Sequence, residues 1–269
     1  MCYRRSYGME PCGGSAVRAE TTAMWRLVGA AVGHWARRAA AVLFGVSVPL
    51  ALIGTNVRLL FGWEALYTFP ITRYRVEEVS GIPRPELLRA ARELRAYLLG
   101  PERPLVITVT DDQGRVGPLF TERETVHMAD VRRLVQRLLR VQEAAVLMCV
   151  GYAMVRLIVE RRRGLTAVLR LVWWAGLGTN LAALALAGAA LTRFDRLFTQ
   201  FHVLSFRNDF WLLDPRTDHL VQMYPLPFWQ LAAALFLGLT VVESALLAAA
   251  ARWVLARLET PAPSLAPVS

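Results

Sequence analysis

The chain has 269 residues, is 55% hydrophobic and carries a net charge of +10, with arginine at all 31 of its Lys+Arg positions. Its mean hydropathy of +0.36 is too high for an ordinary soluble domain of this length and points to an integral membrane protein. The positive charge does not signal nucleic acid: the arginines gather at the ends of apolar runs, where membrane topology places them, and no basic patch interleaved with aromatics occurs.

Residues 1–23 read as an unstructured extension. They lack the charged, apolar and cleavage-site order of a removable signal peptide. Met24 is the expected natural start, because "MWRLVGAAVGHWARR" opens an amphipathic approach to a membrane. Cys2 and Cys12 show no C-x-x-C spacing and Cys149 lies in an apolar run, so neither a zinc site nor a disulfide framework is indicated.

Four apolar runs approach the roughly 20 residues needed to cross a bilayer. The first, Ala39 to Phe61, follows a lead-in, giving a segment 24–61. The second spans 138–160 around "AAVLMCVGYAMVRLIV", the third 171–191, and the fourth 227–251. Arg37 and Arg38, then Arg161 to Arg163 in a turn over 161–170, then Arg252 and Arg257 in a tail over 252–269, all fall on one side of a four-span arrangement. That side is expected to be cytoplasmic, with both termini on it. Segments 62–137 and 192–226 then lie outside the cytoplasm. The first is too long for a structureless loop. It contains an amphipathic helix, Arg84 to Gly100, with Pro85 in its first turn and Gly100 as a terminal cap. It also contains a β-hairpin, "PLVITVT-DDQG-RVGPLF". The expected architecture is a mainly α polytopic membrane protein with four transmembrane helices and a small α+β extracytoplasmic cap.

From Glu122 or Thr125 onward the pattern is helical, with Phe120, Glu124, His127, Val131, Leu134 and Leu138 on one stripe. His127 is therefore expected in the first turns of a helix that runs into the second span. Of the four histidines, His34 lies in the cytoplasmic lead-in and reads as functionally bland, and His219 lies in the turn "DPRTDHLV" and reads as solvated. His127 and His202 sit at the outer ends of spans two and three. A short turn makes those spans antiparallel neighbours, so the two histidines share one membrane face.

Three readings fit such a pair. Near-neutral pKa values suit proton transfer in both directions. Metal ligation by His127 with Glu124 or Asp130, plus His202, is a second reading, although no H-E-x-x-H motif is present. Interfacial histidines hydrogen-bonded to carboxylates are the third. Ser205 lacks a nucleophile elbow such as G-x-S-x-G. The surroundings of His202 are rich in aromatic residues, including Phe198, Phe206, Trp211 and Trp229. The polar residues Arg207, Asn208, Asp209, Asp214 and Asp218 are mixed among them. "NDFWLLDPRTD" reads as a loop held by Asx-type hydrogen bonds and packed by Trp211. An aromatic pocket with fixed polar groups suits an amphiphilic substrate at the boundary between cap and membrane.

"PLFTERETVHMADV" and "FHVLSFRNDFWLLDPRTDHLVQMYPLPFW" resemble the lipoprotein intramolecular transacylase family of four-span bacterial membrane proteins. The likeness extends over about residues 35 to 255. It implies an enzyme of the cell membrane with its active face outside the cytoplasm, acting among membrane lipids on a diacylated lipoprotein. One acyl chain would move from the sn-2 oxygen of the diacylglyceryl group to the free α-amine of the N-terminal cysteine, leaving a lyso-form lipoprotein. The family's catalytic histidines correspond by motif to His127 and His202. Acid–base work by this pair needs no covalent enzyme intermediate. Glu124 or Asp130 would orient His127, and Arg207 or Asn208 would stabilise the oxyanion. Trp211, Asp214 and Asp218 would shape the surrounding loop. No cofactor, metal or nucleic acid is implied. Two other readings remain open at this point: a non-enzymatic lipid-binding or assembly factor, and a metal-dependent membrane hydrolase.

Overall fold

The computed structural model describes residues 14–259, with side chains from residue 33 onward. In chain order the elements are α1 (Gly14–Gly62), α2 (Glu64–Arg73), α3 (Val76–Ser80), α4 (Arg84–Leu99), β1 (Thr108–Thr110), β2 (Val116–Pro118), α5 (Glu122–Ser205), α6 (His219–Met223) and α7 (Leu226–Glu259). The protein is mainly helical. Part of the extension expected to be unstructured, from Gly14 on, is helical instead. Residues 1–13, with Cys2 and Cys12, lie outside the described residues. The described residues up to Leu43 form one unit and those from Phe44 on a second. In the first, the Arg38 guanidinium lies over the Trp35 ring at 5.5 Å.

Among the described residues three helices are long and apolar enough to cross a membrane: Gly33–Gly62, Glu122–Ser205 and Leu226–Glu259. The middle one, α5, has 84 residues. At 1.5 Å per residue a straight helix of that length would far exceed a bilayer of about 30 Å. It is broken twice, at Arg161 (φ 49, ψ −120) and at Arg193 (φ −144, ψ 39). At the first break the chain folds back. Cys149, Tyr152 and Ala153 from before it and Val168, Leu171 and Val172 from after it pack in one cluster with Phe44 and Val48 of α1. The fold-back depends on Gly164, where a Cβ would strike the Arg156 carbonyl oxygen. The connection expected over 161–170 is thus helical except at Arg161, because the glycine lets the reversal close within a few residues.

The loop expected over 192–226 also differs. Helix continues past Arg193 to Ser205, and α6 forms between His219 and Met223. The polar residues there made the segment read as loop, but Phe194, Phe198, Phe201 and His202 keep helical spacing and pack together.

Helix α7 packs extensively against α5. A Cβ on Gly176 would stand 3.1 Å from both the Ala248 Cβ and the Ser244 carbonyl oxygen, so the backbones approach closely there. One turn on, Asn180 Nδ2 donates to the Val241 carbonyl at 2.7 Å and to Ser244 Oγ at 3.1 Å. Asn56 of α1 donates to Thr240 Oγ1 of α7 at 3.1 Å. Such bonds satisfy polar side chains that would otherwise meet hydrocarbon.

Between α1 and α5 the chain builds three helices and a two-stranded antiparallel sheet; α2 and α3 were not evident in the sequence. The strand register pairs Thr108 with Pro118 and Thr110 with Val116. Ile71, Leu87, Leu94 and Leu119 are almost fully enclosed. Leu220, Met223 and Phe228, from the other side of α5, complete the same core. The end of α4 is tied to α5 by a buried guanidinium. Arg132 donates to the carbonyls of Tyr97 at 3.0 Å and Gly100 at 2.7 Å, and Gln136 donates to that of Leu98 at 2.8 Å. These donors satisfy carbonyls that the last turn of a helix leaves free.

Candidate active site

The start of α5 is set by a capping box. Thr121 Oγ1 accepts from the Glu124 N–H, and Glu124 Oε2 accepts from the Thr121 N–H at 2.7 Å. "TERE" carries this signature in the sequence. The cap fixes the first turn, and His127 follows one turn later. At the other end of α5, His202 lies in the last full turn before Ser205. Both imidazoles are buried. Their centroids are 5.9 Å apart, with ring planes inclined by 34°.

An aromatic enclosure surrounds the pair. Phe206 meets His127 edge-on at 5.2 Å and lies 5.7 Å from His202. Phe198, Phe201 and Trp211 stand 4.4, 5.3 and 5.0 Å from the His202 ring.

The two histidines are not equivalent. His202 Nδ1 is 2.7 Å from the Phe198 carbonyl oxygen. A carbonyl only accepts, so Nδ1 carries the proton and Nε2 keeps its lone pair. His127 Nδ1 is buried with no hydrogen-bond partner. Burial above all, helped by nearby His202 and opposed by the charge of Asp130, brings the His127 pKa down to about 4. Burial also lowers that of His202, against the bond to Phe198. Both rings lie outside the spans expected over 138–160 and 171–191, and both are neutral at pH 7.

The acidic residues named from sequence take other positions. Glu124 is fully enclosed, and its carboxylate does not touch His127: Oε2 holds Thr121, and Oε1 accepts the Leu220 N–H at 2.6 Å. Both its oxygens are thus engaged away from the imidazole it was expected to orient. Asp130 pairs with Arg133 and accepts from Asn208 Nδ2 at 2.8 Å. Asn208 Oδ1 in turn accepts from the Phe210 N–H at 3.2 Å. Arg207 is exposed. Asp214 binds Arg216, which holds its pKa down to about 2. Buried Asp218 accepts the Asp214 N–H at 2.7 Å. These last two carboxylates shape their own loop. Among the described residues no group of three His, Cys, Asp or Glu is placed to hold a metal ion.

Sequence reasoning missed how the loop is attached. Arg123 donates to the Asp209 carbonyl at 2.6 Å and lies over the Phe210 ring at 5.8 Å. Together with Glu124 and Asp130 it ties the segment after Ser205 to the start of α5. The capping box was the one signal of this available in the sequence.

The family model of lipoprotein intramolecular transacylase Lit matches residues 42–229. This chain belongs to that family. Crystal structures of the Bacillus cereus family member share its fold. One is 21% identical with a TM-score of 0.68, covering 84% of this chain and 98% of its own. Two others have a single histidine changed to arginine or alanine. Each has a TM-score of 0.63, at 20% and 19% identity, covering 86% and 85% of this chain and 97% and 98% of its own. No curated protein matches the chain. The family stretch contains every site residue described above, and like the membrane-integral Bacillus cereus protein this chain is a membrane protein.

Proposed function

We propose that this family member transfers the sn-2 acyl chain of a diacylglyceryl lipoprotein to the α-amine of the same molecule's N-terminal cysteine. The observation that carries this is the buried His127–His202 pair inside an aromatic enclosure beside the apolar helices. The lone pair of His202 Nε2 takes the proton from the attacking amine. The C–N bond forms, and the ester C–O bond breaks. In one concerted relay His127 gives its N–H proton to the departing glyceryl oxygen as its other ring nitrogen takes the proton of the His202 imidazolium. The net proton moves from nitrogen to oxygen, and both rings end neutral, with no covalent enzyme intermediate. Asn208, held through one amide hydrogen by Asp130, keeps a second for the oxyanion; exposed Arg207 is a further donor. Phe206 and Trp211 crowd the substrate into a folded geometry. Bringing donor and acceptor into contact in this way is worth up to roughly 7–11 kcal/mol of barrier.

Four membrane crossings fit this chemistry, with the break at Arg161 dividing α5 into two of them. The elements between α1 and α5 form the outer cap, and the termini lie in the cytoplasm. Arg162 donates to the Leu258 carbonyl at 3.0 Å, and Arg170 pairs with Glu259 at 3.0 Å. Both contacts support placing these arginine clusters on one side. The metal-hydrolase alternative loses ground because Glu124 is committed to backbone and cap.

Expression in a bacterium lacking lipoprotein N-acylation, followed by mass spectrometry of one lipoprotein's N-terminus, tests the reading. The expected product is the lyso form, absent with His127→Ala or His202→Ala. Full conversion by either variant would sink the mechanism.

A further inference from the structure

Beyond the close contacts at Gly176 and Asn180, α5 and α7 separate around a groove of about 920 Å³. That is near the upper end of the roughly 300–1,000 Å³ typical of ligand pockets. Ala187 and Ala190 of α5 and Ala233, Ala234 and Leu237 of α7 form its walls, and small side chains on both helices create the space. The groove ends at the second break in α5, where Arg193, Phe194 and Arg196 line it. From there a run of rings leads to the histidines: Phe194 stacks on Phe198 at 5.8 Å, and Phe198 lies 4.4 Å from His202 and 5.9 Å from Trp229.

We infer that this groove holds an acyl chain of the lipoprotein substrate. The inference rests on the transacylase reading above. The walls between Ala187 and Leu191 of α5 and between Ala233 and Val241 of α7 are apolar, and the neighbouring surface carries exposed Leu184 and Leu186. An occupant therefore enters from the hydrocarbon and not from water. The polar lining residues Thr192, Arg193, Asp195, Arg196 and Gln230 gather at the end nearest the histidines, where the two guanidiniums can donate to ester carbonyls beside the Asp195 carboxylate. A chain lying along the alanines thus leaves its ester beside Phe198 and His202. The substrate matches this placement because its reacting ester must sit at those rings.

The test uses a synthetic diacylated lipopeptide bearing a diazirine in one palmitoyl chain, with the full-length protein in nanodiscs. Photolabel is expected on residues lining the groove, displaced by unlabelled lipopeptide and not by phosphatidylglycerol. Labelling elsewhere, or equal displacement by the phospholipid, overturns the inference. Ala234→Trp provides the kinetic arm, with Trp at exposed Ala185 as control. Filling the groove is expected to raise KM about tenfold for a dipalmitoyl substrate and to spare a dioctanoyl one, with kcat near wild type. An equal effect on both chain lengths overturns the inference. Labelling of the groove in a wild-type protein that converts no substrate would instead remove the transacylase reading and leave the groove standing.

Discussion

Glu124 Oε1 accepts the backbone N–H of Leu220 at 2.6 Å, joining residues 96 apart in sequence. The same carboxylate closes the cap of α5 on Thr121. One enclosed side chain therefore fixes both the turn that presents His127 and the short helix that follows the His202 loop. Glu124→Ala removes the cap, worth about 1 kcal/mol, and strands buried donors at about 1–3 kcal/mol. A drop in the thermal midpoint in detergent is expected, with the pH profile of the surviving activity unchanged. A shifted profile would show that Glu124 acts directly on the His127 imidazole.

The depressed pKa of His127 makes stability depend on pH. Above about pH 6.5 the ring is neutral folded and unfolded. As pH falls from there toward the folded value of about 4, the unfolded chain binds a proton that the native state refuses. Stability is expected to fall by up to about 3 kcal/mol across that window. Thermal midpoints measured between pH 7 and pH 4.5 should fall less steeply for His127→Gln. Identical slopes would mean that burial of this ring is not the cause.

Activity should follow a different group. Both histidines are already neutral near pH 7, so the substrate's α-amine, with a pKa of about 7.7–8.0, sets the rise in rate with pH. The ascending limb of kcat/KM is expected near that value. A limb at about 6.5 would indicate a solvated histidine.

Gly164 permits the reversal after Arg161. A Cβ there meets backbone, which cannot swing aside as a side chain can. Gly164→Ala is expected to cost several kcal/mol by forcing the hairpin open, whereas Gly178→Ala, with nothing within 4 Å, should be neutral or gain up to about 1 kcal/mol from helix propensity. Thermal unfolding of the two variants side by side decides this.

Arg132 is buried against two carbonyls at the end of α4. Arg132→Met should cost about 2–4 kcal/mol by leaving those oxygens unpaired. Arg132→Lys should recover little of it, because one ammonium cannot replace a fork that spans both sites. Limited proteolysis between residues 62 and 121 reads the loosening.

Apolar length, arginine placement and the start of α5 are local properties. Spans of about 20 residues, the amphipathic α4, the "DDQG" turn and a histidine one turn past a capping box can all be read along the chain, because each depends on neighbours within a few positions. Span adjacency even placed His127 and His202 on one face. Partners distant in sequence had to come from the tertiary structure. Glu124 beside His127 suggested an orienting carboxylate, yet Leu220 and Thr121 occupy its oxygens. Asp130 looked free to bond the imidazole, yet its oxygens hold Asn208 and Arg133 and only its charge reaches His127. The His202 tautomer follows from helix continuing through a segment whose polar residues suggested loop. The groove between α5 and α7 lies beside the break at Arg193, where alanines of both helices line it. Each of these depends on which groups burial brings together, and a one-dimensional pattern does not encode that pairing.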